Sequence, residues 1–155
     1  MREALVEAEK AFSKREVPIG AVLVVENEII ARAHNLVESF SDATAHAELL
    51  CLKKGAEILG NWRLLGATLY CTLEPCPMCA GAMIHSRLNR LVWGAPDLRC
   101  GVHGSWINFL DVEHPIHQLT ITREFMKEEC AQCMRSFFKM RRTETKNGKN
   151  IRRTC

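Results

Sequence analysis

Two short segments constrain this chain more than anything else in it: His46-Ala47-Glu48, and Pro75-Cys76-Pro77-Met78-Cys79. Each lies where the residue pattern turns helical, so the pair predicts two helices that begin at one place in the fold. Cys76 and Cys79 are three apart, which in the first turn of a helix puts both sulfurs on one face. Unpaired backbone N–H groups there carry partial positive charge and favour thiolates. Two thiolates and the His46 imidazole give zinc three protein ligands and leave the fourth position for water, the arrangement of a catalytic site. Zinc bound in this way lowers the pKa of that water toward ~7 and makes a hydroxide nucleophile available at neutral pH. Glu48, two residues from His46, is placed to take the water's proton and hand it to a leaving group. An ideal helix turns residues i and i+2 to opposite sides, so this pairing requires the looser geometry of a first turn.

Around these segments helical and strand patterns alternate. Leu5, Ala8, Ala11 and Phe12 recur at helical spacing between Arg2 and Glu16, predicting an amphipathic helix that stops before Val17-Pro18. Ile19 to Val25 and Glu28 to Ala33 predict an antiparallel strand pair about a Glu26-Asn27 turn. Asn35 to Thr44 reads as a polar connection, Ala45 to Leu59 as a helix, Ala67 to Leu73 as a buried strand and Cys76 to Ser86 as a second helix. Arg90 to Trp93 is a short strand closed by Gly94-Ala95-Pro96. Asp97 to Pro115 is irregular, and a last strand at Gln118 to Thr122 precedes a long helix from about Arg123 to Arg142. The fold class is therefore α/β, a mixed sheet covered by helices on both faces, whose opening pair is antiparallel and whose later strands are parallel. With 155 residues the chain makes one domain, at 1–143, followed by a basic polar tail at 144–155 that the sequence leaves free to be disordered.

Eight cysteines would suggest disulfides in a secreted protein. The charged start, Arg2, Glu3, Glu7, Glu9 and Lys10, lacks the apolar core of a signal peptide, and no stretch is long enough to span a bilayer. The expectation is a cytoplasmic chain with reduced thiols and no membrane partner. Cys130-Ala131-Gln132-Cys133 could complete a four-cysteine zinc site with Cys76 and Cys79, but it falls inside the long helix beside Met126, Met134 and Phe137, and core packing is the better reading. Cys51, Cys71, Cys100 and Cys155 show no pairing pattern, and His34, His85, His103, His114 and His117 lack ligand spacing. The net charge of +3 conceals an asymmetry: from Arg135 onward eight basic residues face one acid, so this end carries +7 and the body −4. A basic end on an acidic body suits a polyanionic partner, although solvated helix ends are often basic as well.

The two segments, read as His46-Ala47-Glu48 with Pro75-Cys76-Pro77-Met78-Cys79-Ala80-Gly81-Ala82-Met83, resemble the zinc-dependent deaminase superfamily, specifically the bacterial-type tRNA-specific adenosine deaminases. Glu16-Val17-Pro18-Ile19-Gly20-Ala21-Val22-Leu23-Val24, Asn35, Ile84-His85-Ser86-Arg87, Gly94-Ala95 with Asp97, and Phe137-Phe138-Lys139-Met140-Arg141-Arg142 follow in family order, so the resemblance runs from about Leu5 to Arg142. It implies a three-layer α/β/α cytidine deaminase-like fold with a five-stranded mixed sheet, one zinc per subunit on His46, Cys76 and Cys79, and a homodimer. The implied reaction is hydrolytic deamination of the wobble adenosine of a tRNA anticodon stem-loop to inosine, with Glu48 as proton shuttle. It further implies that Asn35 hydrogen-bonds the base, that Ile19, Ala47, Leu73, Glu74 and Pro75 surround it, and that Asp97, Phe138, Lys139, Arg141 and Arg142 approach RNA. Phe138 suits a splayed nucleotide and the arginines suit phosphates, whereas Phe137 reads as core. Pro96 replaces a basic residue common at its place in the family. A face around Met78, Met83 and Ile84 would suit a dimer contact. Two other readings remain open at this point: a zinc deaminase of a free nucleobase or nucleoside such as guanine or cytosine, which has no need of the basic end, and a non-catalytic zinc-stabilised RNA-binding module, which has no need of Glu48.

Overall fold

Apolar and β-branched runs form five strands, and the helical stretches between them pack on the two faces of one sheet. The computed structural model describes the backbone of residues 1–151 and the side chains of residues 1–145. The order is α1 (Arg2–Ser13), β1 (Gly20–Val25), β2 (Glu28–His34), α2 (Val37–Phe40), α3 (Ala47–Leu59), β3 (Thr68–Leu73), α4 (Pro77–His85), β4 (Arg90–Ala95), a single 3-10 turn at Phe109–Asp111, β5 (Thr120–Thr122) and α5 (Lys127–Ile151). The sheet runs β2-β1-β3-β4-β5. β1 is antiparallel to β2 and to β3, while β3, β4 and β5 are parallel, so the expected mixed sheet is present. No helix among the described residues is long and apolar enough to cross a membrane.

Strand alternation assigns the layers. Leu23 of β1 packs against Gly55 of α3. Gly20 on the same strand meets the opposite layer: a Cβ there would lie 2.0 Å from the Ala4 carbonyl oxygen and 2.5 Å from the Ala8 nitrogen of α1. α1 and α5 therefore cover one face and α3 and α4 the other, around a core that includes Leu23, Leu64, Leu69, Met83, Leu88 and Leu91. The α1 contact yields a prediction. Gly20→Ala should destabilise the chain by about 1–3 kcal/mol, because backbone and not a movable side chain occupies the space; a urea midpoint unchanged from the parent would show that α1 shifts freely.

Three elements differ most from the sequence reading. The polar connection Asn35 to Thr44 contains α2, whose four residues are too few to show a period. β4 continues through Gly94 and Ala95, because Gly94 lies against Cys130 and Thr72 where a side chain could not fit. The last helix begins later, at Lys127, since Glu124 and Met126 have φ of 54° and 57° and Phe125 gives its N–H to the Trp93 carbonyl. It also runs on to Ile151, so 144–151 continue α5, and the remainder of the proposed tail, 152–155, lies outside the described residues. The expected dimer face is corrected too: Met83 and Ile84 are buried within this chain's own core.

Candidate active site

α3 and α4 bring the two motif segments together by their first residues. His46 is the N-cap of α3 (φ −73°, ψ 146°) and Cys76 the N-cap of α4 (φ −78°, ψ 170°), with Pro77 fixing the first turn behind it. Both caps are extended, so His46 precedes the helix that carries Glu48, and the opposed directions of a regular i, i+2 pair do not arise. His46 Nδ1 lies 3.6 Å from Cys76 Sγ and 3.6 Å from Cys79 Sγ. A tetrahedral ion with Zn–N near 2.0–2.1 Å and Zn–S near 2.3 Å places nitrogen and sulfur about 3.5–3.6 Å apart. The donor set therefore fits zinc in element type and in spacing. Among the described residues this is the one group of three or more His, Cys, Asp or Glu side chains with ligand atoms that close, all within 4.8 Å. Cys130 takes no part, packing instead beneath Gly94 as the sequence suggests.

Charge in the cluster is arranged for such an ion. The Cys76 thiol is pulled down to about 4, chiefly by the hydrogen bond from the Cys79 side chain and then, against the cost of burial, by His46. Cys79, which gives that bond from a buried position, is raised, and His46 is raised by the sulfur beside it. Glu48 is 3% exposed, and burial pushes its carboxyl up to about 7. Its Oε2 is the buried side-chain oxygen or nitrogen left without a partner among the described residues. A buried polar atom without a partner is costly, and functional sites are where such atoms persist.

A cavity of about 320 Å³, of a size to take one nucleobase, reaches the cluster at His46, with Cys76, Cys79 and Glu48 behind its wall. Ile19, Asn35, His46 and Leu73 line it, together with Asp97 and Phe138 at its rim. Of the other expected contacts, Ala47 and Pro75 are buried without lining the cavity, and Glu74 sends its carboxylate into the following loop. There it accepts the N–H groups of Asp97 (3.1 Å), His103 (2.7 Å) and Ser105 (3.3 Å) and the Ser105 hydroxyl, so it shapes the cavity wall from behind. Asp97 in turn accepts from the Arg99 and Cys100 N–H groups, holding a tight turn at the rim. Phe138 is partly exposed, while Phe137 is buried against Phe12 with ring centroids 5.6 Å apart. Lys139, Arg141 and Arg142 lie beyond Phe138 on the exposed side of α5, with Arg141 3.3 Å from Glu144.

Sequence reasoning missed several cavity residues: Glu16, Val17, Val37, Arg99 and Met134. Met134 and Phe138 are one helical turn apart, a signal that was available in the sequence; Glu16 and Arg99 reach the site only through the turns that follow α1 and β4. A larger open cleft, about 600 Å³, lies on the other side of α2 between α1 and α3 and has no part in the cluster.

Comparison with known proteins follows the same outline. A family model described as MafB19-like deaminase matches residues 1–142. A tRNA-specific adenosine deaminase of Bacillus subtilis is 50% identical, covering 94% of this chain and 91% of that protein. A chloroplastic tRNA(adenine(34)) deaminase of Arabidopsis thaliana is also 50% identical over 91% of this chain, which spans only 12% of the plant protein's length. A solved structure from work on A-to-I editing by tRNA:A34 deaminases at the wobble position of transfer RNA superposes with a TM-score of 0.82 at 42% identity, covering 86% of this chain and 96% of the other.

Proposed function

This chain belongs to the MafB19-like deaminase family and, within it, to the tRNA-specific adenosine deaminases, and from that premise we propose that it hydrolyses the wobble adenosine of a tRNA anticodon stem-loop to inosine. The observation that carries the reading is the meeting of His46, Cys76 and Cys79 with an unpartnered Glu48 carboxyl at a base-sized cavity. His46, Cys76 and Cys79 are the residues that would hold zinc, one per chain. Bound there, zinc supplies the Lewis acidity that makes water a nucleophile near neutral pH. Glu48 would take a proton from the attacking water as its oxygen adds to C6 of the flipped-out adenine, deliver it to N1, and move the second proton to the departing amino group. Water thus supplies the new C6 oxygen and both protons, one retained on N1 of the inosine and one leaving in the ammonia. Asn35 holds the base edge, Ile19 and Leu73 wall the ring, and Phe138 closes the rim over the flanking nucleotide.

Anticodon RNA is the partner that suits the charge distribution, with Lys139, Arg141 and Arg142 beyond the rim, while Asp97 at the rim shapes the loop that faces the RNA. A homodimer accords with the exposed Ile58 at the end of α3 and the exposed Trp62 and Leu65 just after it, and the cytoplasm is the compartment proposed for it. Inosine formation on an anticodon stem-loop, run beside free guanine, cytosine and cytidine, decides the substrate class. Turnover of a free base with an untouched stem-loop would sink the proposal. A second expectation concerns the basic end: replacing Arg141 and Arg142 together by glutamine should weaken stem-loop binding and reduce the slope of log K against log[salt] by about two. Zinc content should stay at that of the parent, and an unchanged slope would place the RNA elsewhere.

A further inference from the structure

Glu16 has no role in the chemistry above, yet it lines the cavity while showing no exposed surface, and no cation reaches its carboxylate among the described residues. It stands just past α1, where Arg15 takes the left-handed conformation (φ 64°) and turns the chain inward. A buried charge without a counterion survives only if every lone pair is met by a donor. Oε1 accepts the Ser39 N–H (2.7 Å) and hydroxyl (2.7 Å), and Oε2 accepts the Glu38 N–H (3.2 Å) and one amide hydrogen of Asn35 Nδ2 (3.3 Å). Burial alone would raise this carboxyl; the hydrogen bonds from Ser39, Glu38 and Asn35 outweigh it, and the group is lowered and ionised.

The consequence is chemical as well as structural. An ionised carboxylate only accepts, so the Asn35 end that faces Glu16 must be the NH₂. The side-chain oxygen and the second N–H are then offered to the cavity in one order only, while the Asn35 backbone is tied to β1 through its N–H to the Ile19 carbonyl at 3.0 Å. Asparagine recognises adenine with that ordered pair, giving an N–H to N7 and accepting from the N6 amino group; guanine presents acceptors at both places. We infer that Glu16 is the positioning residue that fixes the direction of the Asn35 amide, and through it the choice of adenine at the target position. This deepens the proposed function and rests on it.

Glu16→Gln tests the inference because it keeps the volume and reverses the logic. The glutamine oxygen stays with Ser39, whose two contacts are the shorter at 2.7 Å, and its NH₂ lands opposite Asn35 and the Glu38 N–H. Asn35 must then turn its own oxygen toward it and show the cavity the opposite order, while the Glu38 N–H loses its acceptor. The expected result is a fall of at least about tenfold in kcat/KM for the adenosine stem-loop, the scale of one misplaced hydrogen bond, with parental zinc content and a somewhat lower melting temperature. In an Asn35→Ala background the same change should cost less than about twofold. Equal losses in both backgrounds, or no loss in the parent, overturn the inference. A stem-loop carrying 7-deazaadenosine examines the same orientation with no substitution and so does not depend on the variant folding. The unsubstituted protein should process it at least about tenfold less efficiently than adenosine, and equal efficiency overturns the inference. A parent that forms no inosine on the adenosine stem-loop refutes the proposed function itself, a result separable from either of these.

Discussion

Glu48→Ala should reduce kcat on the anticodon stem-loop by about 10²–10⁴-fold while the protein keeps one zinc per chain and loses no thermal stability. Ordinarily, removing a buried carboxyl strands its partners. Here Oε2 has none, and burial has already pushed the group up to about 7, so the fold gains little from it. The metal ligands come from the N-caps and first turns of α3 and α4 and do not require the Glu48 side chain for their placement. Activity and stability should therefore separate: turnover collapses while the melting temperature holds or rises, the pattern of a residue kept for chemistry at a cost to stability. Retained turnover with full zinc content would remove Glu48 from the proton transfers. Loss of zinc along with turnover would mean that Glu48 supports the ligands.

Removing the metal should have the second large effect. Cys79→Ala, or the parent treated with a chelator, should lose inosine formation to background and melt at a lower temperature. Activity of the parent should return on adding zinc. Cys79 lies in the core, and an ion held there would join the starts of two helices, so its binding free energy would enter directly as folding free energy. The diagnostic comparison is the melting temperature with and without chelator: the parent should shift and Cys79→Ala should not. A parent that stays fully active without metal would remove the His46, Cys76 and Cys79 cluster from the mechanism.

The metal cluster was legible in the sequence because its geometry is local to two helix starts; what joined the two starts was the recognition that neither segment has a purpose alone. Strand direction followed from the alternation of elements, an antiparallel opening pair and then strands preceded by helices or long connections, whereas the order β2-β1-β3-β4-β5 came only with the structure. Other features were not legible because their causes are distant in sequence. α2 exists because the Glu16 carboxylate holds the Glu38 and Ser39 amides from the far side of β1 and β2, and no property of Val37 to Phe40 announces this. Glu74 sits two residues before Cys76, and the family resemblance placed it at the cavity. Its carboxylate in fact gathers the N–H groups of a loop some thirty residues later. The late start of α5 depends on Phe125 bonding to Trp93, an interaction that sequence periodicity cannot display.

The N-caps of α3 and α4 have a consequence for local order. The positions most often given to Ser, Thr, Asp or Asn are held here by His46 and Cys76, and neither makes a side-chain capping bond. Each helix thus forgoes about 1 kcal/mol of its usual terminal stabilisation and leaves N–H groups directed at the site. Those first turns lack a side-chain lock of their own, and an ion held by both caps would supply one. Metal occupancy and the order of the two turns would then be a single equilibrium, and emptying the site should loosen its shape before it unfolds the chain.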